Sequence, residues 1–341
     1  MSDPQDSEVF ELPNFELEQG ATLRPAKLVY KTYGTLNADR SNAIVYPTAY
    51  GARHSDNEWL IGPRRALNPE KYFIIVPNMF GNGLSSSPSN TPPPHDRGNF
   101  PHITVRDNVR AQHRLVTERF GIERLELVTG WSMGGLQTYQ WAVSYPALVK
   151  RALPFCGSST TSPHNIVFLE GLEATLTADA GWNGGFYEQQ PRKGLRAFSR
   201  VYAGWGFSQA FYWEKLHRQL GFESLEDFLV GFWEKDFGSH DANDLLAMLW
   251  TWKHADIGTT PGSDGDVRRA LGSIRARTVA VPAEKDLYFP PEDEKWASQF
   301  IPNGDVRVIP GVWGHLAGLG INPPDTDFLD GVLRELLASS L

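Results

Sequence analysis

Residues 130–134, with the sequence Gly-Trp-Ser-Met-Gly, constrain the fold of this chain more than any other short stretch. They follow an apolar run that begins at Leu125 and precede a pattern typical of a helix. A glycine lies two positions from Ser132 on each side, which permits a turn too tight for larger side chains. Gly-x-Ser-x-Gly between a strand and a helix is the spacing of a nucleophile elbow. The pattern predicts a reactive serine at one edge of a parallel sheet.

The rest of the chain predicts such a sheet. Seven short runs rich in β-branched and aliphatic residues end near glycine or proline, as buried parallel strands do. They begin at Lys27, Ala43, Tyr72, Leu125, Ala152, Arg277 and Val306. Residues 104–121 have helical spacing of apolar positions and end at Gly121. Alternating strands and helices predict an α/β fold with a mostly parallel, doubly wound sheet.

Residues 158–275 interrupt this alternation. They contain helical patterns and many aromatic residues but no convincing strand, which predicts a helical cap inserted between two strands. The expected domain organisation is a core in two parts, 1–157 and 276–341, with the cap at 158–275. Most of the aromatic residues are expected to form the cap's own core or a dimer interface, and a few to face a cleft.

Composition excludes several classes of function. A net charge of −8 argues against nucleic acid or anionic membranes as partners, because both require a basic surface. The single cysteine, Cys156, excludes an internal disulfide, suits a reducing compartment and is interpreted as a small apolar residue. No secretory signal and no run long enough to span a bilayer are visible, so the expected location is the cytoplasm. No His or Cys pair has metal-ligand spacing, and no metal or cofactor is expected.

A serine nucleophile requires a base and a carboxylate that orients it. Asp286 directly follows the run that begins at Arg277 and is the expected acid, with Glu284 as the nearest alternative. His315 follows the last predicted strand and is the expected base. The other eight histidines precede Asp286, which is inconsistent with the chain order Ser, Asp, His of this type of site.

The oxyanion of the reaction requires hydrogen-bond donors near the serine. The backbone N–H of Met133, the residue after the nucleophile, is the first expected donor. The second is expected from the turn after the strand that begins at Ala43, at Ala49 or alternatively at Tyr50.

Several motifs in register resemble the homoserine O-acetyltransferase family, from about Leu23 to the C-terminus. The resemblance is carried by YKTYGTLN, NEWLIGPRRALNPEKYFIIVPNMFGNG, FPHITVRDNVRAQHRL, GWSMGGLQTYQWAVSYP, DANDLLAMLW and DLYFPPED. It implies an α/β-hydrolase fold with a helical cap, often a homodimer formed through cap helices. It also implies Ser132, Asp286 and His315 as the catalytic triad, in agreement with the chain order.

The sequence departs from that family where the amino-acid substrate binds. Family members have an aspartate after the catalytic histidine, which holds the homoserine amino group, but here Leu316 follows His315. A leucine cannot pair with an ammonium group, and burying that ion without a partner is costly. Trp131 replaces the glycine usual before the serine. Arg200 matches the arginine that meets the substrate carboxylate, or is an arginine on the surface of a cap helix.

These departures favour the esterase branch of the family. The sequence predicts a serine esterase that acts on short acyl esters, such as alkyl acetates, as its small-molecule partner. The expected substrate contacts are Tyr50, Trp131, Arg200 and Leu316. An O-acetyltransferase that uses acetyl-CoA and an alcohol acceptor is the alternative. A binding protein without catalysis is disfavoured, because every part of the triad is present.

Overall fold

The computed structural model describes residues 6–340, and ten strands in that part of the chain form two sheets. The strands are β1 (Glu8–Leu12), β2 (Phe15–Glu16), β3 (Thr22–Leu23), β4 (Ala26–Tyr33), β5 (Ala43–Val45), β6 (Phe73–Pro77), β7 (Leu127–Trp131), β8 (Arg151–Phe155), β9 (Arg277–Ala280) and β10 (Gly304–Val306). Eight of them form one sheet in the order β1-β4-β6-β5-β7-β8-β9-β10, and β2 pairs with β3.

The large sheet is mostly parallel, as predicted. Neighbouring strands from β6 to β10 in this order are parallel, whereas β4 pairs antiparallel with β1 and with β6. Strands β1 to β3 were not predicted. Strand β1 carries Glu8 and Glu11 at the edge of the sheet, where charged residues are common and no continuous apolar run is needed. The run predicted from Val306 overlaps β10 only at that residue.

Eleven α-helices lie within residues 6–340. They are α1 (Val105–Arg114), α2 (Met133–Ser144), α3 (Pro163–Thr177), α4 (Arg192–Gly206), α5 (Gln209–Trp213), α6 (Leu225–Phe228), α7 (Lys235–Phe237), α8 (Ala242–Lys253), α9 (Val267–Gly272), α10 (Pro291–Ser298) and α11 (Pro323–Ala338). Wider π-helical turns follow α1 at Leu115–Arg119 and α6 at Leu229–Glu234. Thr104 begins α1 by accepting a hydrogen bond from the N–H of Asp107, which satisfies a free end of the helix.

The central strands are buried on both faces. Adjacent residues of a strand point to opposite sides of the sheet. In β5, Ile44 belongs to the same hydrophobic cluster as Leu333 of α11, whereas Val45 belongs to the cluster that contains Val109 of α1. Helices therefore cover the sheet on both sides, which explains the continuous apolar runs of its strands.

The segment predicted as a cap lies between β8 and β9 and contains α3 to α9 without a strand. Helix α9 differs from the others because Ala270 and Leu271 pack in the hydrophobic cluster that contains α1. Many aromatic residues of α4 to α8 pack instead in the cluster that reaches the opposite face of the sheet. We propose that α3 to α8 form the cap within 158–275 and that α9 belongs to the core.

The order of the parallel strands places four loops at one edge of the sheet. These loops follow β5, β7, β9 and β10, and they begin the segments that carry Ala49, Ser132, Asp286 and His315. The carboxyl ends of parallel strands meet at the same edge, where open α/β sheets bind their ligands. Residues far apart in the sequence are therefore brought together there.

Candidate active site

Ser132 occupies a strained bend between β7 and α2. Its backbone has φ 56° and ψ −121°, a conformation that costs a residue with a side chain about 1–3 kcal/mol. A Cβ at position 130 would lie 2.3 Å from the carbonyl oxygen of Gly134, and a Cβ at position 134 would lie 2.7 Å from that of Pro47. Both glycines are therefore required by close backbone contacts. The Ser132 hydroxyl does not cap α2 and stays available for other partners.

Ser132, His315 and Asp286 form one hydrogen-bonded relay. Nε2 of His315 lies 2.9 Å from Oγ of Ser132, and Nδ1 lies 2.7 Å from Oδ2 of Asp286. All three residues are buried, with exposed fractions of 2 %, 2 % and 4 % respectively. An ionised carboxylate only accepts hydrogen bonds, so Nδ1 carries a proton and Nε2 is free to accept one from the serine.

Asp286 is fixed by the turn that follows β9. Its Oδ1 accepts hydrogen bonds from the N–H groups of Tyr288, at 2.8 Å, and Phe289, at 3.1 Å. Glu284, the alternative acid, lies outside the relay: its Oε2 accepts from the N–H of Gly311 at 3.3 Å, and its side chain is 48 % exposed. The Gly311 N–H and Lys285 lower the pKa of the Glu284 carboxyl. The carboxylate in contact with the imidazole is therefore that of Asp286.

Trp131 holds the loop that carries His315. Its indole Nε1–H donates a hydrogen bond to the carbonyl oxygen of His315 at 3.2 Å, and its ring stacks on the imidazole with centroids 5.0 Å apart. A Cβ at position 318 would lie 2.3 Å from the Trp131 ring, so Gly318 is needed for this packing. Trp131 therefore contacts the base directly as well as lining the adjacent cavity.

The backbone N–H groups of Met133, at the start of α2, and of Ala49 and Tyr50, in the loop after β5, have no hydrogen-bond partner among residues 6–340. The loop lies against α2, because the Pro47 carbonyl oxygen occupies the space that a Cβ on Gly134 would fill. The hydroxyl of Tyr50 donates to the carbonyl oxygen of Leu245 at 3.0 Å, and the choice between the backbone N–H groups of Ala49 and Tyr50 stays a prediction.

A cavity of about 750 Å³ opens beside His315. The predicted contacts Tyr50, Trp131 and Leu316 line this cavity. Its other lining residues are Gly51, Ala52, Ser55, Asp56, Trp59, Tyr202, Gly231, Phe232, Trp233, Lys235, Asp236, Phe237, Ser239 and Leu319. Aromatic and aliphatic side chains predominate, which is typical of a site for a small, mainly apolar molecule.

Arg200, an expected substrate contact, does not line this cavity. Its guanidinium forms ion pairs with Glu226 and Glu234 on the neighbouring cap segments. These two carboxylates raise the pKa of Arg200 further above its usual range. The interpretation of Arg200 as an arginine on the surface of a cap helix is the one that fits.

Cys156 lies close to the site but has the properties of an unreactive thiol. It is fully buried, and desolvation raises the pKa of the thiol well above its usual value. A thiol that stays protonated is a poor nucleophile. In the described part of the chain, no group of three or more His, Cys, Asp or Glu side chains is placed to hold a metal ion.

Several cavity residues were not assigned from the sequence. Tyr202 and Trp233 belong to the aromatic residues of the predicted cap, but their spacing does not show which of them faces the cleft, and Phe237 was not singled out. Gln137 was also missed, although a glutamine in a helix that directly follows the nucleophile and is buried from Met133 to Val143 is a signal of a buried polar role.

The sheet, the elbow and the serine–imidazole–carboxylate relay are together those of an α/β hydrolase. A family model described as alpha/beta hydrolase fold matches residues 43–319, and the chain belongs to that family.

Among the known relatives of this chain are hydrolases of acetate esters. The chain is 41 % identical to an ethyl acetate hydrolase from Pseudomonas veronii over 97 % of this chain and 96 % of that protein. The structure of an acetylester hydrolase from Corynebacterium glutamicum superimposes with a TM-score of 0.96 at 39 % identity, covering 98 % of this chain and 97 % of that one.

Homoserine O-acetyltransferases are also relatives of this chain. The one from Methanococcoides burtonii is 34 % identical over 89 % of this chain and 68 % of its own length. The resemblance to that family, on its esterase side, is therefore confirmed. No helix in residues 6–340 has the combined length and apolar character needed to cross a bilayer.

Proposed function

We propose that this protein is a serine carboxylesterase that hydrolyses short-chain acyl esters, in particular acetates of small alcohols. The observation that carries the proposal is the buried relay of Ser132, His315 and Asp286 beside an apolar cavity. The relatives named as an ethyl acetate hydrolase and an acetylester hydrolase support the substrate class.

The geometry is suited to a two-step acyl transfer to water. Oγ of Ser132 attacks the ester carbonyl carbon while its proton passes to Nε2 of His315, and Asp286 stabilises the imidazolium that forms. The carbonyl oxygen becomes an oxyanion that accepts hydrogen bonds from the N–H groups of Met133 and Ala49. His315 then protonates the leaving alkoxide, which departs as the alcohol. Water, activated by the same imidazole, cleaves the acyl-enzyme and releases the carboxylic acid.

The cavity favours an uncharged alcohol portion. Leu316 lies beside His315 and lines the cavity, where it offers no carboxylate for an ammonium group. Arg200 is paired with two glutamates outside the cavity, so it is not placed to meet a substrate carboxylate. Positions 316 and 200 therefore lack the charged partners that the acetyltransferases use, although Asp56, Lys235 and Asp236 also line the cavity.

Acetyl transfer to an alcohol is the second candidate, since the same acyl-enzyme would react with either acceptor. The homoserine O-acetyltransferases among the relatives are the reason to test it. Acetyl-CoA with homoserine or another alcohol should release CoA no faster than without the acceptor. Rapid CoA release that depends on the acceptor would favour the transferase.

We also propose a homodimer formed through the cap, in the cytoplasm. The outer cap surface exposes Val201, Trp213, Leu225 and Val230, and Trp213 is 87 % exposed. Large apolar side chains that remain exposed on the cap favour an interface there. Light scattering of the purified protein should give twice the mass of the chain, and Trp213→Glu should shift it towards the monomer.

An acyl-chain series from acetate to octanoate tests the esterase proposal. We expect activity to fall steeply beyond butyrate, because the serine that carries the acyl group is almost completely buried and does not itself line the cavity. Ser132→Ala should lower kcat by at least about 10⁴-fold, since the nucleophile is lost. Ser144→Ala, at the far end of the same helix, should keep full activity. Hydrolysis that survives in Ser132→Ala would refute the proposed nucleophile, and equal activity up to octanoate would refute the small acyl site.

A further inference from the structure

A chain of buried side-chain amides connects the interior of the core to the loop after β5. The indole Nε1–H of Trp141 donates to Oε1 of Gln112 at 2.8 Å, and Nε2 of Gln112 donates to Oε1 of Gln137 at 2.6 Å. Nε2 of Gln137 donates in turn to the carbonyl oxygen of Thr48 at 2.9 Å and to that of Met133 at 3.1 Å. Trp141, Gln112, Gln137 and Thr48 are all completely buried.

Chemistry at the two ends of this chain fixes the orientation of both amides. An indole N–H only donates, so the amide oxygen of Gln112 must face Trp141. The amide nitrogen of Gln112 then faces Gln137 and must meet its oxygen. The nitrogen of Gln137 is consequently directed at the Thr48 carbonyl, which only accepts. The hydrogen bonds are mutually consistent in this one arrangement.

The Thr48 carbonyl belongs to the same peptide group as the N–H of Ala49. A peptide group is planar, and in its trans form the C=O and N–H point in opposite directions. The Thr48–Ala49 bond is trans in the structure. By holding the carbonyl oxygen, Gln137 therefore also sets the direction in which the Ala49 N–H points.

The second N–H group beside the serine is held in a similar way. The N–H of Met133 shares its peptide group with the carbonyl of Ser132. That carbonyl accepts hydrogen bonds from the N–H groups of Gly135, at 2.8 Å, and Leu136, at 3.1 Å. The peptide groups that carry the N–H groups of Met133 and Ala49 thus both have their oxygen held by α2, one by backbone groups and the other by the side chain of Gln137.

We propose that Gln137 is a positioning residue of the oxyanion site, which aims and polarises the Ala49 N–H through the Thr48 carbonyl. The inference rests on the proposed esterase function and identifies a residue that does not touch substrate. Donors that are already oriented stabilise a developing oxyanion without reorganisation, which is the main source of their catalytic effect. Hydrogen bonds in series in a dry interior also strengthen one another.

Gln137→Met tests this role, because methionine has a similar length and helix propensity but no N–H donor. Freed from Gln137, the Thr48–Ala49 peptide group can rotate. We expect kcat/KM for p-nitrophenyl acetate to fall about 10- to 100-fold, somewhat less than the loss expected when an oxyanion donor is removed altogether. The fall should lie in kcat with little change in KM, because the interaction forms in the transition state.

Gln140→Met is the matched control. Gln140 is a buried glutamine on the same helix, and its Nε2 donates to the hydroxyls of Ser144, at 2.8 Å, and Thr260, at 2.9 Å. Its replacement removes comparable hydrogen bonds without touching the loop after β5. It should lower thermal stability as Gln137→Met does, but kcat should be unchanged. Equal loss of kcat in the two variants would overturn the positioning role.

A methyl trifluoromethyl ketone provides a readout that a merely structural role would not affect selectively. Oγ of Ser132 adds to its carbonyl carbon, the serine proton passes to His315, and the ketone oxygen becomes an oxyanion. Inhibition by this ketone should weaken in Gln137→Met by the same factor as kcat/KM. Competitive inhibition by ethanol, which forms no oxyanion, should not change. Unchanged ketone inhibition in the folded variant would overturn the inference.

Two further experiments cover the case in which Gln137→Met does not fold. Gln112→Met leaves Gln137 in place but removes its support, and should give a smaller loss in the same direction. A crystal structure of the wild type with the ketone bound should place the oxyanion within hydrogen-bond distance of the Ala49 N–H. An oxyanion bound elsewhere would overturn the inference even while Ser132→Ala remained inactive. Activity retained in Ser132→Ala would instead refute the esterase mechanism itself.

Discussion

The two sides of Ser132 are built from different kinds of side chains. On the core side, buried amides of Gln112 and Gln137 are joined by hydrogen bonds to the loop after β5. On the cap side, rings such as Tyr202, Trp233 and Phe237 line the cavity. The core side therefore offers oriented dipoles, whereas the cap side mainly offers shape and apolar surface.

This difference corresponds to the two parts of an ester. Negative charge develops at the carbonyl oxygen during the reaction, and fixed donors stabilise it most effectively in a dry site. The alcohol portion of an alkyl acetate carries no charge, so it is selected by the size of the cavity. We infer that changes to the relay and its supports affect the rate strongly, and that changes in the cap chiefly affect which ester is preferred.

Replacement of the buried acid should give the largest effect. Asp286→Asn leaves the shape of the site nearly intact, but the amide can donate to His315 and favour the wrong tautomer of the imidazole. We expect kcat to fall about 10⁴-fold. The measurement is kcat for p-nitrophenyl acetate, with circular dichroism to verify folding.

Glu284→Gln is the matched control for that change. Glu284 follows the same strand as Asp286, but its side chain faces solvent and accepts a hydrogen bond from the N–H of Gly311. Its replacement should leave kcat essentially unchanged. A large loss in Glu284→Gln, or a small one in Asp286→Asn, would show that the relay found in the structure is not the one that works.

Trp131 lies where the core side and the cap side meet. Its replacement should therefore lower activity less than Asp286→Asn does but more than a change on the outer surface of the cap. Trp131→Phe keeps a ring beside His315 but loses the indole N–H that donates to the carbonyl oxygen of His315. This loss should lower kcat/KM about fivefold. Trp131→Leu loses the ring as well, and a total loss of about 30-fold is expected.

Two substrates distinguish the roles of Trp131. If it acts by positioning His315, ethyl acetate and p-nitrophenyl acetate should lose activity by the same factor. If it acts as a wall of the cavity, the factors should differ between the two alcohol portions. A loss of activity confined to one of the two esters would show that Trp131 acts as a wall of the cavity, as the cap residues do.

The sequence predicted the core side far better than the cap side. Chain order and strand ends lead to Ser132, Asp286 and His315, because each follows a predicted strand and parallel strands end at one edge. The choice between Asp286 and Glu284 as the acid remained open because both residues follow the same strand. Only the direction of the side chains separates them, and that direction depends on the turn in which Tyr288 and Phe289 donate to Asp286.

The cap could not be resolved in the same way. Its aromatic residues pack on several helices and turns, so a single periodicity does not show which side faces the cleft. Arg200 illustrates the problem: its partners Glu226 and Glu234 lie 26 and 34 residues away in sequence. The amide chain through Gln137 was equally hidden, because its hydrogen bonds connect α1, α2 and the loop after β5 only after folding.

The smallest loss of activity should come from substitutions on the outer surface of the cap. Trp233 and Glu234 show the difference between the inner and outer surfaces of the cap most directly. These neighbours lie on one π-helical turn, with Trp233 lining the cavity and Glu234 paired with Arg200 outside it. Arg200→Ala should therefore keep kcat/KM within about twofold of the wild type, as surface substitutions usually do. Trp233→Phe enlarges the cavity and should raise the preference for a bulkier alcohol, measured as the ratio of kcat/KM for butyl and ethyl acetate. A large rise in KM for ethyl acetate in Arg200→Ala, with the ratio unchanged in Trp233→Phe, would reverse the assignment of inner and outer faces.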